Sequence, residues 1–292
     1  MAKYILSAFA DEASPALDEQ IKALKEAGVC CVELRGVDGK NVKDLTIEEA
    51  EAVRAKLDAA GIAVSSMGSP FGKIGINDDF APHFEEFKHA LKLCKVLGTG
   101  LMRIFSFYIP EGEDPNEYRE EVMHRLGFML EAAEEADVRL AHENEKGIYG
   151  DIGDRCVDLL EMFGDKMGCI FDPANFIQCG DKPYEQFVKL ERFITYMHVK
   201  DALFEDGSVV PCGAGDGGLQ PLLDEINGTD MYLSVEPHLT VFKGLENLQN
   251  EGLKHKYTYP DSYTAFQAAV SALKDTLKNI GFTEGGNGTW IR

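Results

Sequence analysis

Eight short apolar runs, rich in β-branched and aromatic residues, recur along the chain with longer segments of helical spacing between them. They are Tyr4–Phe9, Cys30–Arg35, Ile62–Ser66, Leu101–Phe105, Val138–Glu143, Gly168–Asp172, Ile194–Val199 and Met231–Glu236. Each has the length of a strand and is too short for a helix. The intervening segments carry helix punctuation. Ser14-Pro15 opens one helix and Gly28 closes it, because proline suits the first turn and glycine the C-terminal cap. Thr46-Ile47-Glu48-Glu49 reads as a capping box for a helix that ends before Gly61. A long amphipathic stretch starts at Pro115 and runs to Asp137, with Leu126, Met129, Leu130 and Ala133 on one face. Helices are also expected at 154–163, 184–191, 219–226 and 262–280. Strands that alternate with helices pair in parallel through right-handed crossovers. Eight such units in 292 residues, about 36 residues each, fit an α/β chain folded as a (β/α)8 TIM barrel. A doubly wound sheet would place a glycine-rich phosphate loop after its first strand, where this chain has Ala8-Phe9-Ala10-Asp11-Glu12. No low-complexity linker divides the sequence, so residues 1–292 are expected to form one domain with helix 262–280 and the tail included.

Composition limits the partners. Twenty-nine basic against fifty acidic side chains give a net charge of −21, which repels nucleic-acid backbones and anionic membrane surfaces alike. No apolar stretch approaches the roughly 20 residues of a membrane span, and the apolar start before Asp11 is too short for a signal peptide. The seven cysteines are scattered, odd in number and free of any Cys-x-x-Cys pair, which reads as reduced thiols in a cytoplasm. Cys30 and Cys31 would point to opposite faces if both lay in a strand. Asn227-Gly228-Thr229 and Asn287-Gly288-Thr289 match a glycosylation acceptor that has no use in that compartment.

A barrel builds its active site from the C-terminal ends of its strands. Four successive runs end in Glu143, Asp172, His198 and Glu236, spaced 29, 26 and 38 residues apart. Any one of them is as ordinary as a helix cap or a satisfied core histidine. Together, three carboxylates and an imidazole at one mouth repel each other unless a divalent cation sits among them. The donor set suits Mn, Mg, Co, Fe or Zn without choosing between them. Strand parity puts Lys200 on the His198 face, His238 on the Glu236 face, and Glu33 with Arg35. Arg35, Lys73, Arg103 and Lys200 are therefore candidates for a basic pocket, or else each neutralises an acid nearby: Arg35 with Glu33 or Asp38, Lys200 with Asp201. His142 should point away into the core, and Glu145 shares the Glu143 face. Phe71, Phe105, Phe107 and Tyr108 form either an apolar wall at the mouth or ordinary packing. Pro211–Gly218 reads as a turn past the mouth and a candidate lid.

These residues carry a resemblance. The Glu143-Asn144 strand end, Phe171-Asp172-Pro173-Ala174-Asn175, His198-Val199-Lys200-Asp201, Glu236-Pro237-His238 and the Gly68–Gly75 loop resemble the sugar phosphate isomerase/epimerase family with the xylose isomerase-like barrel. The resemblance implies one divalent metal ion held by Glu143, Asp172, His198 and Glu236, with Glu143 and Glu236 as a catalytic acid/base pair on opposite faces of the substrate. A metal polarising a carbonyl stabilises an enediolate, and two opposed carboxylates can remove and return its proton. Glu33, Arg35, Lys73, Asn175, Lys200 and His238 are then the substrate-binding candidates. Asn175 stands where some epimerases of the family carry a substrate-contacting histidine. The expected function is metal-dependent isomerisation or epimerisation of a small-molecule carbohydrate: a sugar, a sugar phosphate or a related polyol. The alternatives are a lyase similar to inosose dehydratases and a non-catalytic sugar-binding barrel. Apurinic endonucleases share the barrel, but they need several more histidine ligands than this chain offers. The tail Phe282–Arg292, with Trp290 and Ile291 reading as exposed, is expected either to fold back or to pack on a second copy in a homo-oligomer.

Overall fold

The computed structural model describes residues 3–226, 230–240 and 257–292. The Asn227-Gly228-Thr229 acceptor and Met1 lie outside the described residues. Eight strands run parallel: β1 Lys3–Ala8, β2 Cys31–Leu34, β3 Ala63–Met67, β4 Leu101–Ile104, β5 Arg139–Glu143, β6 Met167–Phe171, β7 Ile194–Val199 and β8 Asp230–Val235. All agree with the sequence reading to within about a residue at each end. Hydrogen-bonded pairing passes from β2 through β3, β4, β5, β6, β7 and β8 to β1, the neighbour order of a TIM barrel.

The ring is not closed by backbone pairing, and here the structure departs from the eight-stranded expectation. No ladder joins β1 to β2 among the described residues. The free edge of β1 is taken instead by a C-terminal hairpin, β9 Thr283–Gly286 and β10 Thr289–Ile291. β10 runs antiparallel to β1 in the register Lys3↔Ile291, Tyr4↔Trp290, Ile5↔Thr289, and the Leu6 N–H donates to the Gly288 carbonyl at 2.9 Å. Trp290 is thus 1 % exposed, opposite to the sequence reading. Tyr4 stacks on Phe282 with ring centroids 4.7 Å apart, so the tail folds back as the tenth strand of the sheet. At the other end of the β1–β2 seam the bridge is made by side chains. Arg35, just past β2, binds Asp11 and Glu12, just past β1.

Among the described residues nine α-helices flank the sheet: α1 Leu17–Glu26, α2 Ile47–Ala60, α3 Phe80–Leu97, α4 Arg119–Glu135, α5 Gly153–Phe163, α6 Pro173–Gln178, α7 Pro183–Leu190, α8 Leu219–Glu225 and α9 Ser262–Asn279. The capping box at Thr46 and Glu49 is formed, and Gly61 closes α2 in the left-handed conformation. Pro115 opens a short 3-10 turn, and α4 begins only at Arg119. The main buried apolar cluster among the described residues runs from Tyr4 to Trp290 between helices and sheet, with two small ones beside it at Ala141, Ile170 and Tyr196 and at Ala174, Ile177 and Ala202. Inside the barrel the layer beneath the mouth is polar: Ser65 Oγ bonds Ser7 Oγ at 2.7 Å and the Tyr196 hydroxyl at 2.9 Å. That layer supports His198, whose ring meets Tyr196 edge-on.

No described helix is long and apolar enough to cross a membrane. All seven cysteines are free thiols.

Candidate metal centre and active site

Glu143 ends β5, Asp172 and Glu236 directly follow β6 and β8, and His198 lies one residue from the end of β7. Parallel strands of similar length deliver these four side chains to one level of the barrel. Each can offer a ligand atom within 4.8 Å of the other three, and all four are buried. Asp172 does both things that its position suggested. Its Oδ1 accepts the Asn175 N–H at 2.9 Å and caps α6, while its Oδ2 faces the cluster.

His198 organises the centre. Its Nδ1 lies 3.0 Å from Glu143 Oε1 and 3.9 Å from both Asp172 Oδ2 and Glu236 Oε2. Its Nε2 lies 3.1 Å from Glu33 Oε2, on the far side of the ring. Burial alone would push its pKa down, but Glu143 and Glu33 hold the charged ring and raise it well above the usual histidine range. The carboxylates then differ. For Glu143, burial is outweighed by His198 and Arg103, and the group is held down at about 2. For Asp172, burial prevails over the attraction of Lys200 and pushes the group up to about 7. Glu236 falls well below the carboxylate range because Lys200, His238 and His198 together exceed the effect of burial.

The candidate binding residues divide when placed in space. Lys200 Nζ sits between Glu236 Oε2 at 2.8 Å and Asp172 Oδ2 at 2.9 Å, rather than on Asp201. Arg103 donates to Glu143 Oε2 at 3.1 Å and to the carbonyls of Ser69 and Gly68. Arg35 is held by Asp11, Glu12 and Glu236, none of which was its expected partner. Lys73 pairs with Glu145 at 2.7 Å and lies over the Phe105 ring. Asn175 donates to Glu143 Oε1 at 3.2 Å and to the Asn144 carbonyl, so it steadies a ligand. The His238 backbone N–H donates to Glu12 Oε2, and its ring lies 3.4 Å from Glu12 Oε1. A second grouping, Glu12, Glu236 and His238, already has the Arg35 guanidinium against both glutamates.

His142 packs in the core against Ser106, as expected. Phe71 and Phe107 pack among the aromatic side chains of α3 rather than forming a wall. Sequence reasoning missed Asp11, Glu12 and Phe9, whose ring lies under Arg35 and edge-on to His198. The signal was two acids directly after the first strand. The Pro211–Gly218 turn is filled from within: the Asp201 carboxylate accepts from the backbone N–H groups of Gly213, Gly215, Gly217 and Ala202 at 2.9–3.1 Å.

Three buried carboxylates and an imidazole nitrogen facing one point make an oxygen-rich set with one nitrogen, which suits a divalent ion of the Mg to Zn range. Glu33 on the far nitrogen of His198 is the partner that orients a ligating imidazole.

Comparisons with known proteins agree with this architecture. A family model described as a xylose isomerase-like TIM barrel matches residues 21–256. No curated protein matches the chain in sequence. Among solved structures, the probable 3-DHS dehydratase AsbF of Bacillus anthracis superposes with a TM-score of 0.72 at 16 % identity, covering 93 % of this chain and 98 % of its own. The IolI protein with a bound zinc atom gives 0.72 at 18 % identity, over 95 % and 99 % of the two chains. An L-ribulose 3-epimerase gives 0.71 at 17 % identity, over 96 % of each.

Proposed function

The chain belongs to the xylose isomerase-like TIM barrel family, and from that premise we propose that it is a divalent-metal-dependent isomerase or epimerase of an uncharged sugar or polyol ketone. The observation that carries this reading is the convergence of Glu143, Asp172, His198 and Glu236 at the ends of four successive strands. Those four residues would hold the ion, which when bound supplies Lewis-acid polarisation of a ketone carbonyl.

The rest of the chemistry belongs to the chain. Glu143 and Glu236 come from strands three apart around the ring, so their carboxylates reach a ligand from different sides. One removes the proton α to the carbonyl and the other returns a proton from the opposite side, passing through an enediolate. Arg103 on Glu143, and Lys200 with Arg35 on Glu236, aim the two carboxylates; the one that acts as base starts ionised, and the one that returns a proton first takes it up from solvent, which is why solvent deuterium reports the step.

Charge supports an uncharged substrate. Each of the four cations near the mouth already faces at least one acid. The glycine-rich turn, whose N–H groups would suit a phosphate, is occupied by Asp201.

The test is solvent deuterium exchange. With Mn2+ or Mg2+ added, the protein should exchange the α-proton of an unphosphorylated ketose or inosose. Glu143→Gln and Glu236→Gln should abolish exchange while the folded spectrum is retained. Exchange that survives in both variants sinks the two-glutamate mechanism. An ion bound at about one per chain with no exchange on any ketone favours a sugar-binding barrel, and exchange accompanied by loss of water makes the protein a dehydratase.

A further inference from the structure

At the foot of the barrel, away from the mouth, β2 begins at Cys31, and Cys30 lies just before it, outside the strand. The two side chains are therefore not forced to opposite faces, and their sulfurs approach to 3.6 Å. We propose that Cys30 and Cys31 form a two-sulfur clasp for a soft, thiophilic ion of the trivalent-arsenic class, a site separate from the carboxylate–imidazole centre.

The distance selects the chemistry. A disulfide holds its sulfurs about 2.05 Å apart and its Cα atoms usually at least about 4.4 Å apart, so a bridge between adjacent residues, whose Cα atoms lie about 3.8 Å apart, is strained. A single soft atom bonded to both sulfurs at about 2.3 Å, with a near-tetrahedral angle, holds them about 3.6–3.8 Å apart. The dithiol therefore has the spacing of a chelate and not of a disulfide. Soft thiolates also select soft ions over the hard ones that suit the mouth.

Access and reactivity agree with this geometry. Cys30 is partly exposed and borders a groove of about 380 Å3 shared with Lys25, Gly28, Gly61 and Gly288. The hairpin turn lies directly over it: a Cβ on Gly288 would fall 2.8 Å from Cys30 Sγ, so only glycine lets the turn sit there. The hydrogen bond from Cys31 holds the Cys30 thiol down at about 7 against the effect of burial, with Lys3 adding to the lowering. The same hydrogen bond raises the Cys31 thiol, so Cys30 is the sulfur that attacks first. Capture of a monosubstituted arsenic oxide needs no oxidant: two As–S bonds form, the As=O oxygen leaves as water with the two thiol protons, and arsenic stays trivalent.

The test uses phenylarsine oxide on the reduced, full-length protein, read by intact mass. One adduct per chain is expected. It should survive excess 2-mercaptoethanol, be released by dithiothreitol, and map to the tryptic peptide 26–35, which carries both cysteines. Cys30→Ser and Cys31→Ser should each lose the monothiol-resistant adduct. An adduct stripped by 2-mercaptoethanol, mapped to another cysteine, or retained in either variant overturns the clasp. Peptide mapping on the parent decides the matter if a variant fails to fold.

Discussion

At the scale of single residues, the centre is a set of carboxylates whose behaviour is set by what lies behind them. Glu33 illustrates this. It sits on the Nε2 side of His198, away from Glu143, Asp172 and Glu236. Its role follows from the imidazole: a carboxylate there fixes which nitrogen carries the proton and turns the other one toward the ion. Glu33→Gln is expected to weaken divalent-ion affinity by about 10–100-fold. Competition with a fluorescent chelator measures it, and an unchanged affinity would remove Glu33 from the site. The four candidate ligands were legible in the sequence because each ends an apolar run, and a strand end is a place in a barrel even before its neighbours are known. The partners of the cations were not legible. Arg35 lies two positions from Glu33 and three from Asp38, yet it binds Asp11 and Glu12, because the β1–β2 seam brings the ends of two strands together. Sequence distance carries no trace of that approach.

At the scale of elements, the Gly68–Gly75 loop shows how the mouth is held. The Phe105 N–H donates to the Phe71 carbonyl and the Phe107 N–H to the Gly72 carbonyl, which lays the loop along the chain leaving β4. Gly72 has φ +93°, and a Cβ there would fall 2.1 Å from the Phe105 carbonyl oxygen, so no other residue fits without moving the backbone. Its N–H donates to His83 Nε2 at 2.9 Å, which requires that nitrogen to be unprotonated. Burial pushes the His83 pKa down from 6.5 to about 4. The unfolded chain therefore takes up this proton at higher pH than the folded one. Stability from His83 is complete above about pH 6.5 and is lost as pH falls from there toward about 4. His83→Gln keeps an acceptor that does not titrate, so its stability should decline less steeply over that window in urea titrations. Parallel slopes for parent and variant would show that His83 contributes nothing to the acid response. His83 lies on α3, a helix absent from the sequence reading although Phe87, Ala90, Leu91, Cys94 and Leu97 mark a buried face. Pro82 sits in its first turn, where a proline interrupts no helical hydrogen bond.

At the scale of the whole molecule, the sequence disclosed the number and order of the strands but not how the ring is completed. Alternation reports which segments are strands, and it is silent on a hairpin whose glycines and polar residues, Thr283–Thr289, look like a loop. Trp290 was legible as apolar, and only the fold shows that it is buried against β1 rather than offered to a second copy. Trp290→Ala should cost about 3–5 kcal/mol, the usual loss for a fully buried large aromatic residue, in a denaturant titration. A loss under about 1 kcal/mol would mean that the hairpin is a passive cover. The same feature bears on how the barrel forms and opens. Tyr4 and Trp290 are neighbours in the sheet and 286 positions apart in the chain, so their meeting requires a very large loop to close. Contacts of that separation slow folding and come late in it. The ring is therefore stitched last where β10 meets β1, and in the native state that stitch is the place to expect the earliest fraying, with the amides at its two ends exchanging with solvent before those of β5–β7.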